Sequence, residues 1–209
     1  TILNVIDELG YTILEKKLYQ MIFYKVPQKR ERIIIVAVRK DLANKLTFTQ
    51  PSVYNRIMTL NDAFYKGELY DSDVPVSNGQ EYSQRKKEIM SLVPQGGYWK
   101  DLPIDLQKEY LKDSFYLTGG KTGIARRLSL DNPSLTLTCS AAQKQTERCH
   151  PIETRPLQIR EYARIQTFPD NWEFIGSTSS VYKQIGNAVS VNFAHILACS
   201  IVKLLNDMN

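Results

Sequence analysis

Apolar positions repeat at helical spacing near the start of the chain, and a continuous apolar run follows. The opening TILNVIDELG puts Ile2, Val5 and Leu9 on one helical face, and Gly10 follows as a helix stop. ERIIIVAVRKDL then sets the apolar run 33–38 between charged flanks. A run that is short, β-branched and unalternating predicts a strand buried on both faces. Helix followed by buried strand indicates the edge of an α/β layer.

The rest of the chain divides into an irregular middle and two C-terminal helical patterns. From about Asp41 to Thr154, turn signals such as DSDVPVSNGQ and VPQGGYWKDLP interrupt short runs, which predicts a separate irregular subdomain with one helix around IDLQKEYLKD. RPLQIREYARIQTFPDNW predicts a helix over 158–167 that Pro169 ends. VNFAHILACSIVKLLN has one narrow polar stripe and predicts a mostly buried helix.

Composition narrows the class of protein and its partners. Of 209 residues, 43% are hydrophobic and 23% charged, which is typical of a folded soluble protein. The net charge of +5 favours an anionic partner such as nucleic acid. No apolar run approaches the roughly 18 residues of a membrane span, and the N-terminus lacks a signal-peptide pattern. We therefore expect a cytoplasmic protein with no membrane partner, and the start at Thr1 inside a helical pattern indicates a piece of something longer.

The sequence context of several residues argues against a disulfide, metal-binding, phosphate-binding or catalytic role for them. The cysteines Cys139, Cys149 and Cys199 form no CxxC pair, and the chain has only two histidines, so no disulfide framework or metal site is expected. GGKTG at 119–123 lacks the earlier glycine and leading strand of a phosphate loop. His195 has no indicated partner and is interpreted as a helix-surface residue.

Arg30 and Arg32 alternate directly before the predicted strand. Two guanidiniums at the end of a buried strand need anionic or planar partners. Taken alone, this pattern favours internal salt bridges, with Glu31 and Asp41 nearby.

Three ordered blocks change that interpretation: VPQKRERIIIVAVR, RPLQIREYARIQTFPDNWEF and YKQIGNAVSVNFAHIL. They resemble the last conserved blocks of the DNA (cytosine-5)-methyltransferases, and the middle of the chain is similar to recognition domains of bacterial restriction-modification members. The resemblance implies an α/β fold, the C-terminal part of a Rossmann-like methyltransferase domain with a helix, a buried strand and a returning C-terminal helix, plus a small irregular mixed target recognition domain. We expect the catalytic remnant at 1–45 and 182–209 and the recognition domain at 46–181.

The family flips a cytosine out of double-stranded DNA, attacks C6 with a cysteine thiolate and methylates C5 with S-adenosylmethionine. The resemblance implies that Arg32 contacts the flipped cytosine and that Arg30 supports the site or a phosphate. It implies that Thr136 and Leu137 face the DNA backbone around the extruded nucleotide. Two further arginines are expected groove or phosphate contacts, Arg126 and Arg127.

The closing segment is implied to reach the cofactor. Asn187, Ala188 and Val189 are expected to line the S-adenosylmethionine site, while Gly186 lets the backbone turn tightly and Asn187 caps the last helix. Ser190 stands where many members of the family have a proline, which favours the start of a helix. We expect little loss from this difference, because serine also serves as an N-terminal helix residue. Four residues are expected to form a buried salt-bridge network that organises the recognition domain: Arg155, Arg160, Glu161 and Arg164.

The family's glycine-rich cofactor loop, its Pro-Cys nucleophile and its Glu-Asn-Val motif do not occur in this sequence. The chain is therefore expected to be inactive alone, to need the N-terminal portion that carries those motifs, and to self-associate or bind a partner. It is either the smaller subunit of a split enzyme or a fragment of a longer one, bacterial or phage and nucleoid-associated. The alternative is a non-catalytic sequence-specific DNA-binding protein or a regulatory subunit derived from such an enzyme. The absent Cys-Phe-Thr signature argues against the tRNA-modifying branch.

Overall fold

The computed structural model describes residues 1–44 and 46–208. Within them, the α-helices and strands in chain order are α1 Ile2–Glu8, β1 Tyr11–Gln20, β2 Gln28–Lys29, β3 Glu31–Arg39, α2 Leu60–Phe64, α3 Gln84–Ser91, α4 Ile104–Leu111, β4 Ser134–Leu135, α5 Ile159–Ile165, α6 Thr178–Asn187 and α7 Val191–Asn206. The predicted helices at the N-terminus, around IDLQKEYLKD and over 158–167 are confirmed as α1, α4 and α5.

The longest strands, β1 and β3, form an antiparallel pair whose register runs from Tyr11 opposite Arg39 to Gln20 opposite Glu31. The sequence analysis did not predict β1. Leu18 and Ile33 face each other across the ladder and are 50% and 66% exposed. The expectation of a strand buried on both faces is therefore wrong for the described residues, because β3 pairs there with β1 alone and the Leu18–Ile33 side is open.

α7 packs on the sheet through a narrow stripe. Phe193 joins Tyr19 in one core cluster and Leu204 joins Val38 in another. Most other α7 side chains are partly or fully exposed, including Cys199. The expected mostly buried helix is wrong here, because a single sheet face covers only one stripe of it.

The middle of the chain has two apolar cores. One gathers α2, α5 and α6 around Leu60, Tyr162 and Ile185. The other gathers α3 and α4 around Met90 and Leu111. In the described part of 46–181, the only named strand is the two-residue β4, so the predicted irregular character is confirmed.

β2 connects this middle part to the sheet. It pairs in parallel with β4, Gln28 opposite Ser134 and Lys29 opposite Leu135, and the chain then enters β3. The motif 28–32 therefore runs along the junction of the two parts. Among the described residues no single helix is long and apolar enough to cross a bilayer, and α6 with α7 reaches that length only across a 42° bend.

Candidate active site

An open cavity of about 450 Å³ lies at the junction. It is lined by Gln20, Ile22, Lys29, Arg30, Glu31, Arg32 and Thr136. Three residues singled out in the sequence therefore line one cavity: Arg30, Arg32 and Thr136. Thr136 lies about 100 residues after the two arginines along the chain. The cavity holds more cationic than anionic side chains, which suits a polyanionic ligand.

Arg30 is only 2% exposed. Its guanidinium donates to the carbonyls of Leu137 at 3.1 Å, Gly186 at 2.9 Å and Ala188 at 3.3 Å. Burial lowers the pKa of Arg30 to about 10, and the neighbouring charge of Arg32 acts in the same direction. These contacts give Arg30 a supporting role, because both of its terminal nitrogens donate to backbone carbonyls and its Nε is buried.

Arg32 differs from Arg30 in its burial and in the number of its hydrogen bonds. It is half-buried, and within the described chain its side chain makes one hydrogen bond, to the Glu31 carbonyl at 2.7 Å. An arginine carries five N–H donors, so most of its donor capacity is available to a ligand in the cavity.

The predicted Thr-Leu pair divides between the cavity and the core. Thr136 is half-buried on the cavity wall, and its hydroxyl donates to the Lys29 carbonyl at 2.6 Å. Leu137 is 1% exposed and packs in the core with Leu60. Of the pair, only Thr136 presents a side chain to the cavity, since the backbone N–H and C=O of Leu137 bind Gln28 and Arg30.

The closing segment is built differently from the expectation. Gly186 and Asn187 are the last residues of α6, and Ser190 precedes α7. A Cβ on Gly186 would lie 2.1 Å from the Thr138 carbonyl oxygen, so the glycine is required by close packing. The predicted tight turn at Gly186 and helix cap at Asn187 are therefore wrong.

A buried amide network joins this segment to the motif strand. The Gln28 Nε2 donates to Gln166 Oε1 at 3.0 Å, and the Ser190 hydroxyl donates to the same oxygen at 2.6 Å. The Gln166 Nε2 donates to the Ile185 carbonyl at 3.0 Å. The sequence analysis missed Gln166; its one signal was an amide at helical spacing in an otherwise apolar stretch.

The three residues expected at the cofactor lie just beyond this network. Asn187 and Val189 are exposed and Ala188 is half-buried, with its carbonyl on Arg30. Asn187 and Val189 therefore have side chains accessible to a ligand, although neither lines the cavity at the junction.

The two arginines expected at DNA have opposite placements. Arg127 is 4% exposed and donates to backbone carbonyls including Val93 at 2.7 Å and Met90 at 2.7 Å, so its guanidinium is occupied in the interior. The expectation of a DNA contact at Arg127 is incompatible with this burial. Arg126 is half-buried and lies over the Tyr98 ring at 4.6 Å.

The four residues of the expected ion-pair network do not form a single network; they divide into two separate ion pairs and one contact with a backbone carbonyl. Arg155 pairs with Glu161 through two hydrogen bonds of 2.9 and 2.7 Å. Arg164 is fully buried and binds Asp170 at 2.9 Å. Arg160 instead donates to the Trp172 carbonyl and belongs to neither pair.

Comparison with known proteins adds the family. The model of the C-5 cytosine-specific DNA methylases matches residues 1–203. The chain is 66% identical over its whole length to half of the type II methyltransferase M.Eco47II of Escherichia coli, and 64% identical over 98% of its length to 49% of M.PspPI of a Psychrobacter strain. It is 51% identical over 89% of its length to 42% of M.Sau96I of Staphylococcus aureus.

A solved structure supports the fold. The chain superposes on a prophage-encoded DNA modification methyltransferase of E. coli with a TM-score of 0.70 at 20% identity, covering 98% of this chain and 64% of that one. The chain spans about half the length of the curated relatives it matches. On the match over residues 1–203, the chain belongs to the C-5 cytosine-specific DNA methylase family.

Proposed function

We propose that this chain is the DNA-recognition and cofactor-closing portion of a DNA cytosine-5 methyltransferase, which methylates C5 of a flipped cytosine in double-stranded DNA. The observation that carries the proposal is the cavity in which Arg32 and Thr136 meet. One comes from the motif strand and the other from the recognition part, as a pocket closed around an extruded nucleotide requires.

In this proposal Arg32 is the residue that touches the cytosine. Its half-buried guanidinium has donors available at the cavity and can hold charge on the activated ring. Arg30 holds the surrounding backbone, and Thr136 faces the DNA backbone beside the extruded nucleotide. The thiolate nucleophile would come from outside this chain, since none of its cysteines follows a proline.

The exposed residues Asn187 to Val189 would form one wall of the S-adenosylmethionine site. That cofactor supplies the methyl group, and this segment contributes binding and closure. Gln166 donates to the Ile185 carbonyl and Arg30 donates to the Ala188 carbonyl, and these hydrogen bonds hold the backbone of the segment in place.

A second surface suits the DNA groove. The Lys100 and Lys121 ammonium groups each lie 5.7 Å from the Trp99 ring centre, and Arg126 stacks on the adjacent Tyr98. Cations held against aromatic faces beside an open cavity of about 350 Å³ favour phosphate and base contacts. Arg126 is therefore a proposed DNA contact, whereas the buried Arg127 is not.

The remaining half of the enzyme would carry the nucleophile and most of the cofactor site. The relatives are twice as long as this chain, and the open side of the β1–β3 pair offers apolar surface to a partner. We propose the division into 1–45 with 182–209, and 46–181, as catalytic remnant and recognition domain. The chain by itself is then inactive.

The test joins the chain, in cis or in trans, to the half of M.Eco47II that it does not match. Bisulfite sequencing of DNA from cells that express the pair should reveal C5 methylation at a defined site, and purified protein should transfer methyl from S-adenosylmethionine. The chain alone should give neither signal. Arg32→Ala should lower the rate roughly a hundredfold or more.

Two results would contradict the proposal. Methyl transfer by the chain alone would remove the need for a second half. DNA binding that never leads to methylation in any combination would favour the alternative, a non-catalytic sequence-specific DNA-binding protein.

A further inference from the structure

The backbone of residues 136–138, beside the cavity, is held by buried side chains from other parts of the chain. The Arg148 Nη2 donates to the Thr136 carbonyl at 2.6 Å. The Leu137 N–H donates to Gln28 Oε1 at 2.8 Å, and its carbonyl accepts from Arg30 at 3.1 Å. The donors and acceptors come from two other parts of the chain, residues 28–30 and Arg148, so the position of 136–138 depends on tertiary contacts.

Tyr162 completes this support at Thr138. Its hydroxyl accepts from the Thr138 N–H at 3.1 Å and donates to the Thr138 carbonyl at 3.0 Å. One oxygen therefore satisfies both backbone groups of a single residue. Gly186 packs on the same carbonyl from α6, leaving no room for it to move toward that helix.

The supporting side chains are costly to bury. Tyr162 is 0% exposed, and Arg148 and Arg30 are 4% and 2% exposed. Neither arginine forms an ion pair with a carboxylate in the described part of the chain. Burying a guanidinium removes its charge from water, and hydrogen bonds to carbonyl oxygens without a carboxylate only partly offset that cost. Such an arrangement is understandable where the position of the backbone matters more than the free energy of unfolding.

We propose that Tyr162 is a positioning residue for residues 136–138, which holds Thr136 at the cavity through its paired hydrogen bonds to Thr138. This rests on the proposed function, because the held segment is the one that would face the extruded nucleotide. The ring of Tyr162 packs at 5.0 Å from the ring of Tyr182 in the core. A purely structural role would belong to the ring, and the positioning role belongs to the hydroxyl.

Tyr162→Phe separates the two roles, and the chain offers a matched control. Tyr182 is also 0% exposed, and its hydroxyl donates to the Leu157 carbonyl at 2.6 Å without touching 136–138. In the protein joined to the unmatched half of M.Eco47II, Tyr162→Phe should lower kcat/KM for DNA roughly five- to thirtyfold, the worth of two hydrogen bonds. The KM for S-adenosylmethionine should change less than about twofold, because no cofactor contact is removed.

Tyr182→Phe should change kcat/KM for DNA by less than about twofold, even where it lowers thermal stability as much as Tyr162→Phe does. A duplex with 2-aminopurine at the methylated position should give less extrusion fluorescence with Tyr162→Phe than with the control. Equal effects of Tyr162→Phe and Tyr182→Phe on DNA parameters would overturn the proposal.

Amide hydrogen exchange on the 209-residue chain tests the positioning role without any methylation. Tyr162→Phe should speed exchange in the peptide covering 136–140 at least about tenfold more than Tyr182→Phe does. An inactive joined protein would count against the proposed function, whereas unchanged exchange in Tyr162→Phe would reject the positioning role itself.

Discussion

At the scale of single residues, the arginines of this chain differ chiefly in what their guanidiniums touch. Arg30, Arg127 and Arg148 are almost completely buried and donate to backbone carbonyls. Arg32 and Arg126 are half-buried: Arg32 lines an open cavity, while Arg126 lies over the Tyr98 ring and also donates to two backbone carbonyls. Buried carbonyls that lose a donor cost free energy, while a donor facing solvent costs little to remove. Stability and activity should therefore separate between neighbouring arginines.

We expect Arg30→Met and Arg32→Met to have opposite profiles. Arg30→Met removes a donor from the Leu137, Gly186 and Ala188 carbonyls, of which only Ala188 keeps another, from Gln166, and should lower the free energy of unfolding by about 2–4 kcal/mol. Arg32→Met should lower it by less than about 0.5 kcal/mol while abolishing most methylation by the joined protein. Urea unfolding of the two variants, with the rate of methyl transfer, checks both. Equal losses of stability would contradict this assignment.

Gly186→Ala should destabilise the fold through one contact. The added Cβ would meet the Thr138 carbonyl oxygen at 2.1 Å, which requires α6 or residues 136–138 to move. We expect a loss of about 1–3 kcal/mol in urea unfolding, as for overpacked cores. Gly120→Ala is the control, since nothing lies within 4 Å of its Cβ and its stability should not fall comparably.

At the scale of elements, His150 links α2 to α5. Its ring stacks on Phe64 at 5.5 Å, and its Nδ1 accepts from the Ile152 and Glu153 N–H groups. The Nε2 faces Glu161 at 3.6 Å, and Arg155 and Arg127 add positive charge nearby. Burial lowers the pKa of His150 below its ordinary value of 6.5, with Glu161 opposing that shift.

This contact predicts a loss of stability in mild acid. The unfolded chain binds the proton more readily than the folded one, so the contribution of neutral His150 is complete above pH 6.5 and is lost as pH falls through the lowered pKa. Thermal unfolding between pH 7 and 5 should show it, at no more than about 1.4 kcal/mol per pH unit. His150→Asn should flatten this slope, whereas His195→Asn on exposed α7 should keep it. An unchanged slope in His150→Asn would exclude His150 as the group responsible.

At the scale of the whole molecule, apolar side chains gather on the open side of the sheet and on α7. Leu18 and Ile33 form an exposed cross-strand pair, and Val202 and Leu205 are 53% and 52% exposed on α7. The Leu18–Ile33 pair lies on the sheet face away from α7, and an exposed apolar face of this kind marks an interaction site. In the proposed enzyme, the other half would cover this surface.

We expect the isolated chain to self-associate through this surface and the joined protein to do so less. The double variant Leu18→Thr with Ile33→Thr should lower the weight-average mass in sedimentation and the binding of an apolar dye. Val76→Thr with Ile175→Thr removes side chains that are 96% and 84% exposed elsewhere, and should leave both unchanged. Equal effects of the two pairs would show that no particular face drives association.

Short-range pattern was enough for several parts of this description. α5 follows from apolar residues at helical spacing and a proline stop, both of which act within one or two turns. β1 was missed, because YTILEKKLYQ mixes charged and apolar residues without clean alternation and its strand form depends on pairing with β3. The extent to which α7 is buried was overestimated, because periodicity does not reveal how much surface lies opposite.

The amino-acid sequence by itself determined the family, through blocks of residues whose order and spacing are local properties. It also brought forward the arginines, threonine and closing segment from which the site is proposed. Only the tertiary structure decided which of those arginines is buried, because the contacts of Arg30 join residues 107 and 156 positions away. The same holds for Gly186: a glycine is required there because the Thr138 carbonyl packs against it. The burial of a side chain and its hydrogen-bond partners depend on segments that come together only on folding, and the spacing of residues along the sequence does not predict those contacts.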